Sequence, residues 1–596
     1  MSLPEIVEVA RNFSVIIRVQ GPDPKGLKMR KHAFHHYISG KTSLSASGVL
    51  LPKQVSSEPM SLVLTVASII EPFLSSKYKD HMSQVKPELI SGAQIDIMME
   101  GNAKESEGGT PHWLPAELIT LVDIPASSLA LQSLVGASSD GWEVGWSLAS
   151  YKDGYQLYFD ASQKEDQESL VLDAQPFNPT LMGNLGTRIA ILKLSTTTFE
   201  DMPKLKISPR IKRGDLLVAI GAPFGVLSPA HFCNSVSVGY VSNCYPPSFS
   251  HTSLLMADIR CLPGMEGSPV FGEQSEIVGM LTRPLSQRGS GAEVQLVIPW
   301  EAIVTSCTGF LSPNLKNPLK SHVAPSNPIE NAMSSICLVT INDGVWASGV
   351  LLNHHGLILT NAHLLEPWRF SKTTISNIAV TQSNPKQETR TRTRVHQRVQ
   401  VRVDNRVWCD ANVVYVSKGP LDIALLKLDF VPDKLQPIVM DFSCPLLGSK
   451  VYVVGHGLFG PRSDFLPSAC VGVVAKVVKA GGDLPAMIET TAPLVTSNAK
   501  HGGGTTIPHL NFSIPSAALQ PLINFSKDMK DISILEDLDR PNGQLSSVWA
   551  LMPPASPDQL PGEDEIKETK GSKFAQFMKD RQKLDADSSK YLPSKL

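Results

Sequence analysis

Cysteine is scarce: eight in 596 residues, none in a Cys-x-x-Cys pair. That excludes a disulfide framework and argues against a structural zinc site. Cys233 and Cys244 read as small buried hydrophobes, and a reducing compartment fits. Aromatic residues are only 6%, so the cores must lean on Val, Ile and Leu, which favours β-structure. Neither sign of charge is in excess: 54 Lys+Arg against 56 Asp+Glu give a net charge of −2. That balance speaks against coating nucleic acid or lying on a membrane surface. No apolar run reaches the roughly 18–20 residues that span a bilayer, so no membrane insertion is expected. The early acidic residues Glu5 and Glu8 speak against a secretory leader. What is present, 42% hydrophobic and 18% charged residues, excludes a wholly disordered chain. The length suggests roughly two to four domains.

Internal repetition organises the chain. Ser47-Gly48-Val49-Leu50-Leu51 recurs as Ser348-Gly349-Val350-Leu351-Leu352. The stretch Leu64–Pro72 matches Leu359–Pro367, and Arg188–Leu194 matches Asp422–Leu428. Gly221–Gly225 matches Gly455–Gly460, and Val297-Ile298-Pro299 matches Ser513-Ile514-Pro515. The order is the same in both halves, so one domain has been duplicated. Within each half the apolar runs are short, rich in Val, Ile and Leu, and punctuated by Gly, Pro, Asn and Ser. That pattern predicts barrels or sandwiches. The expected division is a first domain over 1–311, a proline-rich linker over 312–328, a second domain over 329–522, and a charged tail over 523–596.

The second half carries two residues with matched chemistry. His363 closes Thr360-Asn361-Ala362-His363, just past a strand-like Leu357-Ile358-Leu359. Asp422 opens the apolar run Ile423–Leu426, 59 residues later. A carboxylate at the mouth of a strand can accept the Nδ1–H of a histidine. That fixes the tautomer whose Nε2 takes a proton from a nucleophile. The two motifs, with Ser348-Gly349-Val350 before them, resemble the trypsin-like serine proteases. The resemblance implies an all-β fold of two tandem double β-barrel domains, the first degenerate. It also implies that His363 and Asp422 are catalytic and that no metal or organic cofactor is needed.

The chain ends in Ser594-Lys595-Leu596, which reads as the tripeptide recognised by the peroxisomal import receptor. With the duplication, the chain is similar to the Deg/HtrA-related peroxisomal (glyoxysomal) processing proteases of plants. The segments 496–504 and 508–515 share in that resemblance. It implies a matrix serine endopeptidase that removes amino-terminal presequences from imported precursors. Protein precursors and the import receptor are then its partners, nucleic acid is not, and homo-oligomerisation is left open.

The sequence departs from the family at the nucleophile. No Gly-x-Ser-Gly-Gly loop follows Asp422. Aligning Ile259–Leu262 with Ile488–Thr491 and Leu281-Thr282 with Val495-Thr496 leaves the second half fifteen positions short. They would hold the loop and most of the strand after it. The first half keeps Gly264-Met265-Glu266-Gly267-Ser268-Pro269, but Ser68 stands at its histidine position and Arg188 at its aspartate position. One half therefore offers a serine, Ser268, without a base, and the other a base without a serine. Ser497, Ser513 and Ser516 lack the glycine loop, and Ser497-Asn498 suits a strand edge for an extended peptide. A non-catalytic peptide binder, or a regulator of an active copy, is the competing class. Finally, Arg390, Arg392, Arg394, Arg398, Arg402 and Arg406 share one parity, with Val399, Val401 and Val403 on the other. That pattern predicts a strand whose basic face is solvated.

Overall fold

The computed structural model describes residues 1–549 apart from 24–35, 101–112, 145–178, 312–327, 367–397, 493–509 and several shorter loops. The Ser594-Lys595-Leu596 terminus, Ser497, and Arg390, Arg392, Arg394 and Arg406 lie outside the described residues.

The predicted all-β architecture is present. Three six-stranded antiparallel barrels close on themselves. The first takes Ser14–Pro22, Lys41–Leu51, Leu62–Val66, Gln94–Met98, Leu114–Val122 and Ile189–Leu194. The second takes Leu216–Gly221, Ser235–Tyr245, Leu254–Ala257, Pro269–Phe271, Glu276–Leu281 and Glu293–Pro299. The third takes Ile336–Ile341, Val345–Leu351, Leu357–Thr360, Val399–Val403, Val407–Val416 and Ala424–Leu428. β-branched residues and leucines fill the strands because a closed barrel buries one side chain of every pleat and leaves no edge. The first two barrels share one apolar core, in which Phe13 meets Phe271 at 5.8 Å between ring centroids. The third has its own, built on Val339, Val401 and Leu426.

The fourth sheet is different. Lys450–Gly455, Ser468–Lys479, Pro485–Thr490 and Asn511–Ser513 pair in that order and do not close. The register shows what is missing. Ala257 pairs with Gln295 in the second barrel, as Thr490 pairs with Asn511 in the open sheet. Thirty-eight positions separate the first pair and 21 the second, so the second half is seventeen short, not fifteen. The second barrel uses that interval for the hairpin Pro269–Phe271 and Glu276–Leu281. Both strands, not one, lack counterparts among the described residues.

The two halves are docked through this open sheet. The Arg213 guanidinium pairs with Glu330 at 2.5 Å and donates to the Pro467 carbonyl at 3.2 Å. Asn243 Nδ2 donates to Leu466 O and Ser468 Oγ, both at 2.9 Å. Residues 523–538, assigned above to the tail, fold onto the third barrel with Phe525, Leu535 and Leu538 buried. There Tyr415 Oη donates to Asp539 Oδ1 at 2.7 Å. This compact unit runs Met1–Arg540, and a second unit starts at Pro541, its described part the helix Gly543–Trp549. No helix among the described residues is long and apolar enough to cross a membrane.

The arginine stripe is corrected at Arg402. Its side chain is buried, donates to Phe465 O at 2.8 Å and lies 5.7 Å from the Trp408 ring. Arg398 keeps the exposed character expected, against Asp410 at 3.2 Å.

Candidate active site

Strand register brings His363 and Asp422 together. Leu357–Thr360 pairs antiparallel with Ala424–Leu428, Thr360 opposite Ala424. A residue three past Thr360 and one two before Ala424 therefore leave the barrel at the same end, although 59 positions separate them. His363 sits on the short helix Ala362–Leu365 that follows the strand.

Asp422 grips this turn with both oxygens. Oδ1 accepts the His363 backbone N–H at 2.8 Å, and Oδ2 lies 2.5 Å from His363 Nδ1. Asn361 Nδ2 adds bonds to Asp422 Oδ2 at 3.3 Å and to its carbonyl at 3.4 Å. Sequence reasoning did not single out Asn361, whose only signal was its place two residues before the histidine. The Asp422 hydrogen bond raises the His363 pKa above its ordinary value, against partial burial. Burial pushes the Asp422 pKa upward, but its bonds with His363 prevail and leave it below the usual carboxylate range. The carboxylate thus stays ionised, accepts the hydrogen bond from Nδ1–H and leaves Nε2 as the basic nitrogen.

The neighbouring scaffold repeats between the halves. Thr360 Oγ1 donates to Ser348 O at 3.0 Å, as Thr65 Oγ1 donates to Ser47 O at 2.7 Å. Ser348 Oγ accepts the His456 N–H at 2.8 Å, as Ser47 Oγ accepts the Ala222 N–H at 2.9 Å. In the first half the Ser47 hydroxyl then donates to Gly264 O at 2.8 Å, and its N–H to Glu266 O at 2.9 Å. These bonds anchor the loop 264–269. Gly267, at φ +86°, cannot carry a side chain there, because a Cβ would lie 2.1 Å from Ser47 O.

The loop presents Glu266, not Ser268, toward the site. Ser268 Oγ is fully buried and has no hydrogen-bond partner among the described residues. The Glu266 carboxylate instead accepts the Gly264 N–H at 2.7 Å and faces Arg283 at 3.9 Å. Arg283 in turn donates to Ser68 Oγ, at the histidine position, at 3.3 Å. Arg188, at the aspartate position, pairs with Glu71 at 3.1 Å and Asp123 at 2.6 Å. Buried charges of both signs thus fill the place of a triad in the first half. The signal for Glu266 was its position between Gly264 and Gly267, the two positive-φ residues of the turn.

The remaining hydroxyls and thiols are differently employed. Ser513 lies on the strand Asn511–Ser513, and Ser516 Oγ donates to Asp441 O at 2.5 Å. All eight cysteines are free. Burial pushes the thiols of Cys233, Cys244, Cys307, Cys337 and Cys470 up to about 12, which removes thiolate character. No group of three or more potential ligands that could hold a metal ion occurs among the described residues.

Comparison with known proteins agrees with this geometry. The trypsin-like peptidase domain profile matches residues 146–280 and 347–504, one segment in each half. The peroxisomal leader peptide-processing protease of Homo sapiens is 27% identical over 486 residues, covering 74% of this chain and 76% of that protein. Its Mus musculus counterpart is 26% identical over 487 residues, with the same coverage. A probable periplasmic DegP-like serine endoprotease of Pseudomonas fulva is 28% identical over 171 residues, 28% of this chain and 34% of that one. With three closed barrels, an open fourth sheet and a histidine–aspartate couple at the mouth of the third barrel, the chain carries a trypsin-like peptidase domain match in each half and is similar to peroxisomal leader peptide-processing and DegP-like serine proteases.

Proposed function

We propose that the chain is built on the plan of a serine endopeptidase that removes amino-terminal leader segments from proteins imported into the peroxisome. The observation that carries this reading is the 2.5 Å contact between His363 Nδ1 and Asp422 Oδ2. In it His363 serves as general base and then general acid, and Asp422 orients it. The leader-processing relatives supply the substrate class, an extended segment of an imported precursor. Ser594-Lys595-Leu596 is proposed as the address read by the import receptor. The segment 312–328 is proposed as the link between the duplicated domains.

A second reading is favoured by a separate observation. The sequence after Asp422 has no Gly-x-Ser-Gly-Gly loop, and among the described residues the fourth sheet has four strands where its counterpart has six. On this reading the chain as written holds peptides without cutting them. Loss of the nucleophilic serine from a Ser-His-Asp triad costs roughly a millionfold in turnover. Losing the oxyanion donors removes much of the remainder.

Incubating the purified chain with a leader-bearing precursor separates the two. Specific cleavage that His363→Ala abolishes establishes the peptidase. Saturable binding of the leader with turnover equal to the His363→Ala background establishes the binder.

A further inference from the structure

We propose that the open lip of the fourth sheet is a docking site for an extended apolar strand supplied by another protein, which adds antiparallel to Lys450–Gly455. The inference concerns the edge strand Lys450–Gly455 rather than His363 and Asp422 themselves, and holds whether or not the chain cuts peptides.

Among the described residues, Lys450–Gly455 pairs on one side only, with Ser468–Lys479. The direction of its backbone groups follows from two hydrogen bonds. Val474 N–H donates to Ser449 O at 2.9 Å, so the odd-numbered positions face the inner strand. His456 N–H turns the other way, to Ser348 Oγ. Strand groups alternate in direction, so the N–H and C=O of Tyr452 and Val454 point to the open side with His456.

The first half shows what such a lip receives. Gly221 corresponds to Gly455, since Gly221 pairs with Ser235 as Gly455 pairs with Ser468. Val218 and Ala219, three and two residues before Gly221, pair antiparallel with Phe271 and Val270 of the loop-following strand. Their counterparts are Tyr452 and Val453. A partner strand here should therefore carry β-branched or aromatic residues, as Pro269-Val270-Phe271 does.

Polar groups along the gap lack the partners that the first half provides. The Ser47 hydroxyl donates to Gly264 O, but the Ser348 hydroxyl has no acceptor among the described residues. Both ring nitrogens of His456, 4% exposed, are without partners among them, as are Thr490 Oγ1 and Asn511 Oδ1 on the facing strands. Buried polar atoms of this kind are rare in a finished site. Tyr452, Val473 and Phe512 leave over a third of their surface exposed around the same gap, so the lip is also apolar.

The test uses the full chain and a fluorescein-labelled peptide of residues 263–282, the first half's own loop and hairpin. Anisotropy should show saturable binding, and the same peptide with Phe271→Pro, which removes the N–H that faces this edge opposite the Tyr452 counterpart Val218, should bind at least about tenfold more weakly. Hydrogen exchange should show the Tyr452 and Val454 amides slowing on binding. Val454→Pro removes one outward N–H, spares the inner ladder, and should weaken the peptide by at least about tenfold. If that variant does not fold, exchange in the unaltered chain decides. His363→Ala should bind the peptide normally, so failure of the peptidase reading leaves this one standing. Absence of saturable binding, or binding without slowed exchange at Tyr452 and Val454, overturns the proposal. So does slow exchange at those amides without peptide that is lost on dilution, which assigns the lip to a second copy.

Discussion

Replacing Arg188 by methionine tests how the first half holds itself together without a triad. Arg188 is 8% exposed and pairs with Glu71, which is 2% exposed, at 3.1 Å. Its other partner, Asp123, is half exposed and can return to water. Removal of Arg188 therefore strands one carboxylate, that of Glu71. Breaking a buried pair from one side costs about 3–5 kcal/mol, because the remaining charge stays desolvated. At about 2–4 °C per kcal/mol for a domain of this size, the first melting transition should fall by roughly 6–20 °C. The pH dependence has a definite sign. Burial already raises the Glu71 pKa, with Arg188 opposing. Without Arg188 it rises further, so the folded state takes up a proton that the unfolded state, titrating near 4.3, releases earlier. Arg188→Met should thus lose least stability below about pH 4.3 and progressively more as pH climbs through the raised folded value. Adding Glu71→Gln should recover most of the loss at neutral pH. Calorimetry of both variants at pH 5 and pH 8 decides it. A cost under about 1 kcal/mol that ignores pH, or a double variant no better than Arg188→Met, would refute the reasoning.

Asp422→Asn should lower the His363 titration midpoint, followed by NMR of the ring protons, since the raised pKa rests first on that carboxylate. The stability linked to the raised His363 pKa is complete below about pH 6.5 and lost as pH rises through the folded value. The Asp422 part is present above about pH 3.9 and lost as pH falls through its lowered value. The variant should therefore cost most between those limits, about 1 kcal/mol after allowing for a half-exposed His363 side chain, and less at pH 9. Inserting the sequence of residues 263–282, with Glu266→Ser, between Ala492 and Asn511 should raise the second-half melting temperature and create peptidase activity that His363→Ala removes. A stable but inert product would show that His363 and Asp422 are not poised for a serine. Deleting Leu596 from an amino-terminally tagged chain should leave it in the cytosol, and unchanged import seen by microscopy would discard Ser594-Lys595-Leu596 as the address.

Three barrels and the His363–Asp422 couple were legible because their signals are local. Short Val, Ile and Leu runs specify strands, and an aspartate opening such a run sits at a strand mouth wherever the strand goes. The repeat then extended the reading, since register inherited by both halves places Thr360 opposite Ala424 as it places Thr65 opposite Ala190. What failed depended on register or on long-range partners. Ser268 reads as a serine without a base, but the side chain aimed at the site is set by the two positive-φ glycines, which point the buried Glu266 at Arg283 and leave Ser268 Oγ buried beside it. Arg402 followed the parity of an exposed face. Yet it is buried against Phe465, some sixty positions away, where Phe465 stacks on Tyr245 of the other half at 4.8 Å. Parity in one strand cannot report a neighbour that comes from outside its own barrel.

The two halves have lost complementary parts, and the packing shows why each loss is tolerated differently. In the first half the loop is structural: Ser47, Gly264 and Glu266 are tied by buried hydrogen bonds, and the hairpin after them closes a barrel whose core continues into the first. Deleting it would take Val270, Phe271, Ile277 and Met280, all fully buried, out of the core, so the loop and hairpin have a structural role although Ser68 and Arg188 stand at the histidine and aspartate positions. In the second half the open sheet leans on the first half, through Arg213 with the Pro467 carbonyl, Asn243 with Ser468, and Tyr245 with Phe465. Those contacts fix Ser468–Lys479 from outside, so the sheet keeps its place with the four strands seen among the described residues. The third barrel, closed by itself, goes on holding His363 against Asp422 whatever happens at the fourth. The His363–Asp422 couple and the loop 264–269 thus sit on separately stabilised bodies, and losing one need not disturb the other.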